Sequence, residues 1–313
     1  METRIRGVLS PKPSGSITIT ENGNYDVVDV ANAVVDVRPS GTIEITENGE
    51  YDVANYEKAN VQTKRSLKTL LDAKKSANRL FDSYQGEDQS LLVLYDDFEN
   101  VEACSYTFFS NPNMIKAPHL NTKKCTNFDY CFQRCTNLKD TSGIDFSNGK
   151  SFRQTFQSSG IEKSPDSFKN FKNTFIQLNQ TFASCTELTD VEIDCNNINN
   201  LSNFIQNCEK ITNLTLYNIK IALQIASGTS YGHLITKESL IQIIGELIDT
   251  GSNKTLTIGS ANLSKLTDVY VKITSTDADE NGNVKLPFEV CNASDEGAML
   301  ITNYVTQKHW SLS

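Results

Sequence analysis

Strict alternation of apolar and polar residues opens the chain, and it does so twice. In SGSITITENGNYDV, Ile17 and Ile19 share one face; in SGTIEITENGEYDV, Ile43 and Ile45 do the same. Ser, Thr and Glu fall between them, which is the pattern of a half-buried strand. Each strand runs into Asn-Gly, a pair suited to the positive φ of a tight turn, and YDV then predicts a return strand. A third short strand, NAVVDV or KANVQT, completes a unit that repeats from Gly15 to Gly41 and from Tyr25 to Tyr51. So small a unit buries too little apolar surface to stand alone. Residues 1–63 are therefore expected to form a duplicated all-β module that packs on another body and serves anchoring or oligomerisation.

The period then changes. Leu67, Leu70, Leu71, Ala73, Ala77 and Leu80 follow helical spacing with Lys and Arg between them, predicting an amphipathic helix over Lys64–Leu80. With the short strand and turn of LLVLYDDF it makes a helical cap and linker, residues 64–105. From 106 to 220 a looser repeat runs: an aromatic or aliphatic residue, then Cys or a small residue, then Leu or Ile. It reads Phe109-Pro112-Ile115, Phe132-Cys135-Leu138, Phe156-Ser159-Ile161, Phe182-Cys185-Leu188 and Ile205-Cys208-Ile211. Self-similarity at about two dozen residues predicts a solenoid, each unit with a small helical half (FDYCFQRC, QLNQTFASC) and a short extended half (LTDVEIDC, ITNLTLYN). The Phe, Cys and Leu positions would stack into ladders, and Cys suits a tight interior position.

Residues 221–313 read as a C-terminal cap. TKESLIQIIGELIDTG predicts a helix capped by Thr236, with Leu240, Ile241, Ile244, Leu247 and Ile248 on its apolar stripe and Gly251 beyond its end. KTLTIGS predicts a strand, and VYVKITSTDADENGNVKLPFEVCN predicts two strands about an Asn-Gly turn, followed by a short helix and KHWSLS. The fold class is α+β.

Composition adds limits. Hydrophobic residues are 38% of the chain and the net charge is −9; there is no basic stripe of the kind that tracks nucleic acid. No apolar run reaches the roughly 18 residues of a membrane span, and METRIRGVLSPKPSGS has no apolar core of a signal peptide. The chain is therefore expected to stay in the cytosol or to leave by a route other than secretion, lysis being one, and the eight cysteines are expected to be thiols.

Candidate chemistry is sparse. His119, His233 and His309 lie far apart and near no nucleophile motif, so no catalytic residue and no cofactor is assigned. DADENGNV places Asp277, Asp279 and Asn281 at positions 1, 3 and 5 of a calcium-type loop, but position 12 is Phe288 instead of Glu. A polar hairpin turn is the reading there, with calcium as its alternative. Tyr130, Tyr217, Tyr231 and Trp310 are the candidate contact residues, each weighed against a packing role.

SGSITITENGNYDV and its echo resemble the short N-terminal repeats of bacteriophage minor structural proteins, often tail-associated ones. The Phe–Cys–Leu ladder resembles the BspA-like leucine-rich repeat of surface adhesins and phage proteins. LITKESLIQIIGELIDTGSNKTLTIGSANLSKLTD is similar to the closing cap of that phage group, whose GWTLS-like tail matches HWSLS here. The stretch Val269–Thr306 departs from it as an insertion. The resemblance implies a non-enzymatic virion protein of a tailed phage, of tail, fibre or head-fibre type, assembled in the host cytoplasm. Its N-terminal module would join other virion proteins, and its body would face a host surface glycan or protein. A homo-oligomer is implied, a trimer if it is a fibre, with no nucleic acid and no membrane insertion. A bacterial BspA-like adhesin and a virion-borne polysaccharide depolymerase are the alternatives.

Overall fold

The computed structural model describes residues 71–83, 95–226, 232 and 234–313, with the backbone of two dipeptides near the start. These dipeptides, β1 (Gly7–Val8) and β2 (Val27–Val28), pair in parallel. The chain divides into two compact units, residues 1–73 and 74–313. The remaining strands and turns expected within 1–63 lie outside the described residues, as does the first part of the Lys64–Leu80 helix. Residues 71–74 are helical, but the helix does not reach Leu80. Lys75 and Arg79 have φ of 51° and 58°, which an α-helix cannot contain. The repeating structure instead begins at Ser76, inside the expected cap.

Parallel bridges join Ser76 to Ala103, then Asn127, Ser151, Gln177 and Asn200 in succession. Each opens a short tier of chain: 76–83, 103–110, 127–134, 151–158, 177–184 and 200–207. The tiers are not the expected helical halves but runs of turns. Thr107 N–H donates to Cys104 O at 3.3 Å and Phe109 N–H to Tyr106 O at 3.2 Å. The intervening N–H groups point to the next tier: Cys104, Tyr106, Phe108 and Ser110 donate to the carbonyls of Asn127, Asp129, Cys131 and Gln133 at 2.7–2.9 Å. The same stitch joins Phe128, Tyr130, Phe132 and Arg134 to Ser151, Arg153, Thr155 and Gln157. Alternate donors can leave the tier because two residues in each are left-handed: Arg79/Ser83, Tyr106/Ser110, Tyr130/Arg134, Gln154/Ser158, Gln180/Ser184 and Asn203/Asn207, with φ between 53° and 62°. Each costs about 1–2 kcal/mol for a non-glycine residue; the inter-tier bonds and core burial offset it.

Stacking places like side chains in columns. Phe81, Phe108, Phe132, Phe156 and Phe182 lie face to face, with centroids 5.2–5.7 Å apart and ring planes within 12°. Phe128 stacks on Phe152 beside them at 5.5 Å. This corrects the first copy of the repeat by one residue. Phe108, Asn111 and Met114 are buried, whereas Phe109 is half-buried and Ile115 is 58% exposed. The column that follows each Phe carries hydrogen bonds as well as volume. The thiols of Cys135, Cys185 and Cys208 donate to the carbonyls of Phe108, Phe156 and Phe182 at 3.1, 2.9 and 2.9 Å. Asn111 stands in the same column and donates to Phe81 O at 2.8 Å.

The extended halves form as expected where they are longest. Bridges tie Lys116 to Asp140 and Lys163 to Asp190, and β4 (Asp190–Asp194) pairs in parallel with β6 (Asn213–Tyr217), burying Val191, Ile193, Leu214 and Leu216. Between them, β3 (Ile176–Gln177) pairs with β5 (Ile198–Asn200).

Beyond β7 (Leu223–Gln224) the repeat gives way to the cap. Helix α1 (Lys237–Gly245) starts at Thr236, whose Oγ1 accepts from Ser239 N–H at 3.2 Å, and it buries Leu240, Ile243 and Ile244. Strand β8 (Lys254–Thr257) lies in parallel between β7 and the final strand. A short helix, α2 (Ser260–Leu263), leads to β9 (Tyr270–Ile273). The Val269–Thr306 stretch opens as a hairpin and goes on to a third strand and a helix. β9 pairs antiparallel with β12 (Phe288–Cys291), and β10 (Asp277–Ala278) with β11 (Val284–Lys285) nearer the turn, where Gly282 has φ +76°. β13 (Met299–Leu300) adds to the other edge of β9, and α3 (Ile301–Gln307) leads into β14 (Trp310–Leu312). The ammonium of Lys308 is buried here and donates to Gly245 O and Leu247 O at 3.1 and 2.7 Å, satisfying carbonyls at the C-terminal end of α1. The described part is thus a mixture of short strands and small helices without a closed barrel.

Candidate binding surface

The tier geometry decides which side chains face outward. The left-handed residue of one tier lies over that of the next, so outward groups also form columns. The first column reads Arg79, Tyr106, Tyr130, Gln154, Gln180 and Asn203. The one beside it contains Phe109, Gln133, Gln157 and Gln206, and a third contains Arg134.

At the N-terminal end these columns are aromatic and cationic. Tyr106 and Tyr130 stack at 4.4 Å with planes 9° apart, and Phe109 meets Tyr106 edge-on at 5.4 Å. Guanidinium groups lie over all three rings: Arg79 over Tyr106 at 4.3 Å, Arg153 over Tyr130 at 5.7 Å and Arg134 over Phe109 at 5.9 Å. Such contacts hold the rings and the forks in fixed positions. Partial desolvation, and then the Tyr130 phenol beside it, raise the pKa of Tyr106. Asp129 anchors the patch from below. Its Oδ1 accepts from Ser151 Oγ at 2.6 Å and Arg153 N–H at 2.9 Å, and its Oδ2 lies 3.5 Å from Arg153 Nη2. Farther along, the columns become amides: Gln133 donates to Gln157, and Gln154 Nε2 to Gln180 Oε1 at 2.9 Å.

The strand side of the repeat has a different character. Its charges pair with one another across tiers: Lys116 with Asp140, Lys139 with Glu162, Lys169 with Glu192 and Lys210 with Glu187, all at 2.8–2.9 Å. Hydrogen bonds from Ser142, with Lys116 beside it, hold the Asp140 carboxyl at about 2. That side carries ion pairs between tiers; the turn side presents rings, forks and amides.

Of the three candidate contact residues that are described, only Tyr130 belongs to this surface. Tyr217 is half-buried in β6, where its hydroxyl donates to Glu192 at 3.1 Å. Tyr231 lies outside the described residues, as does His233. Trp310 is a correction: it is 2% exposed, and its indole N–H donates to Ile248 O at 3.0 Å, so it packs the cap instead of meeting a partner. Asp279 is occupied by its own turn. Its carboxylate accepts from the N–H groups of Asn281 and Asn283 and from the Asn283 side chain at 2.8–2.9 Å, and Lys220 Nζ lies 3.8 Å away. Asp277 is in exposed β10. Among the described residues no group of three or more His, Cys, Asp or Glu could hold a metal ion. His309 pairs with Asp249 at 2.9 Å, and no described helix is long and apolar enough to cross a membrane.

Sequence reading missed Tyr106, Phe109, Arg79, Arg134 and Arg153. For Tyr106 and Phe109 the signal was present but hidden by the one-residue error in the first repeat. Counting from Phe109 puts Thr107 beneath Tyr130; counting from Phe108 puts Tyr106 there. Comparison with family models, curated proteins and solved structures finds no match for this chain.

Proposed function

We propose that this protein is a structural component of a tailed-phage virion, of tail, fibre or head-fibre type, and that it displays a repeat surface for attachment to the host. On this reading the stacked tiers are a BspA-like leucine-rich-repeat solenoid, residues 1–63 anchor or oligomerise the chain on the particle, and residues 221–313 close the stack. The observation that carries the reading is the in-register outward array of Tyr106, Phe109, Tyr130 and the glutamines behind them. These groups are mounted on a close-packed column of phenylalanines that holds their spacing. A rigid array of weak contacts, present in several copies per particle, gains affinity through avidity without a deep site.

The test is deletion of residues 1–63 in an infecting phage. The shortened chain is expected to stay folded and soluble and to be missing from purified particles, which then adsorb poorly to host cells. Normal incorporation of the shortened chain refutes the anchoring role, and normal adsorption of particles lacking the protein refutes the attachment role.

A further inference from the structure

We infer that the aromatic end of the turn side is a subsite for a carboxylated polysaccharide, a deepening that rests on the attachment reading above. Two features of the patch meet the two halves of such a ligand. A sugar ring has an apolar C–H face, which the half-buried Phe109 can meet; Tyr106 and Tyr130 cover one another's faces, with Arg79 and Arg153 over the outer ones, and offer the sugar their edges. A uronic-type sugar also carries a carboxylate, which a guanidinium fork binds through two parallel hydrogen bonds.

Three forks border these rings, and their partners differ. Arg79 pairs with Asp82. Arg153 is 3.5 Å from Asp129, a carboxylate already taken by Ser151 Oγ and the Arg153 backbone N–H. Arg134 is exposed, lies over Phe109, and pairs with no carboxylate among the described residues. In a chain of net charge −9, the open Arg134 fork beside these rings is the group that selects an acidic ligand. Spacing adds to this. Tiers stitched by backbone hydrogen bonds repeat at about 4.8 Å, close to the length of one sugar in an extended chain. Successive tiers therefore address successive sugars. A chain anchored by its carboxylates at Arg134 and its neighbours runs on over Gln133, Gln157, Gln154 and Gln180, whose amides suit hydroxyl groups.

The experiment uses the full chain and three acidic probes: oligogalacturonate, hyaluronan oligosaccharides and polysialate. Oligogalacturonate methyl ester, the same backbone without charge, is the neutral control, and a polyglutamate peptide tests for charge alone. At least one acidic glycan is expected to bind, about tenfold or more tighter than the neutral control, and more weakly as salt rises. Arg134→Gln and Phe109→Ala are each expected to weaken it by about tenfold while leaving the circular dichroism spectrum unchanged, since both side chains lie at the surface. The inference is overturned by binding to none of the three, by equal binding to the ester, by equal binding to polyglutamate, or by unchanged affinity in both variants. These failures remain distinct from failure of the attachment reading. Particles that need the protein for adsorption, yet are not competed by any acidic glycan, keep that reading and discard this one.

Discussion

Phe108 and Phe109 are neighbours in sequence with opposite roles, and replacing each by Ala separates them. Phe108 is 1% exposed and sandwiched between Phe81 at 5.5 Å and Phe132 at 5.2 Å. Truncating a buried Phe costs about 3–5 kcal/mol in transfer and cavity terms. The two stacked contacts, each worth about 0.5–1.5 kcal/mol beyond area, place Phe108 at the upper end of that range. For a unit of this size about 1 kcal/mol moves Tm by roughly 2–4 °C, so Phe108→Ala is expected to lower Tm by roughly 10–20 °C. Phe109 is half-buried, touching one ring edge and one guanidinium. Its truncation is expected to cost under about 1 kcal/mol, roughly 4 °C at most, while impairing glycan binding. Thermal and urea unfolding followed by circular dichroism read both values. Equal losses, or a larger loss for Phe109→Ala, would refute the register of the whole Phe column, because every tier is aligned on it.

Three further outcomes are expected. Burial, reinforced by Lys285, lowers the pKa of Lys308 from 10.5 to about 7, although Glu246 and Asp249 pull the other way. At this site the unfolded chain therefore holds more protons than the folded one above that value, so the Lys308 contribution should favour folding increasingly from about pH 7 to about pH 9.5, by up to about 1.4 kcal/mol per pH unit, while the buried cysteine thiols, raised by burial, act in the opposite sense above about pH 8.5. Above about pH 10 the buried Tyr304 phenol, also raised by burial, acts in the opposite sense. The difference in urea midpoint between the wild type and Lys308→Met should move in favour of the wild type as pH rises across this range; a difference that does not change with pH contradicts the assignment. A thiol reagent should modify the half-buried Cys291 first, while the other seven cysteines wait for unfolding; Cys135 and Cys185 are pushed up to about 12 by burial, which removes the reactive thiolate. Several fast thiols in the native protein would contradict the tier packing. Trp310→Phe should cost about 1–3 kcal/mol, because Ile248 O loses its donor, and the single tryptophan should emit at short wavelength until the cap unfolds. A solvent-like emission maximum in the native protein would place the indole at the surface after all.

How far the sequence could be read depended on what each pattern shared with its rivals. The spacing of Phe132, Phe156 and Phe182 was legible because Cys and Leu recur at fixed offsets behind two of them, and the structure stacks all three. The first copy was not, because YTFF offers two adjacent rings. What settles the choice is invisible in a hydropathy pattern: Asn111 can donate to the Phe81 carbonyl where other tiers use a thiol. The tiers were misread as helices for a related reason. Phe128, Cys131, Phe132 and Cys135 occupy the offsets of an amphipathic helix, but a run of turns with a left-handed residue every fourth position buries the same set. Thr236 and α1 were legible because a cap and a stripe act within one turn of chain. Trp310 was not, because its acceptor lies on the far side of the cap, more than sixty residues away in sequence.

The left-handed positions divide the labour of the tier. Their backbones do the stitching while their side chains stay outside the interior, so Arg, Tyr, Gln, Ser and Asn all serve there. Such a scaffold lets its surface drift freely: two letters per layer can be rewritten while the aromatic spine, and with it the spacing of every letter, is left untouched.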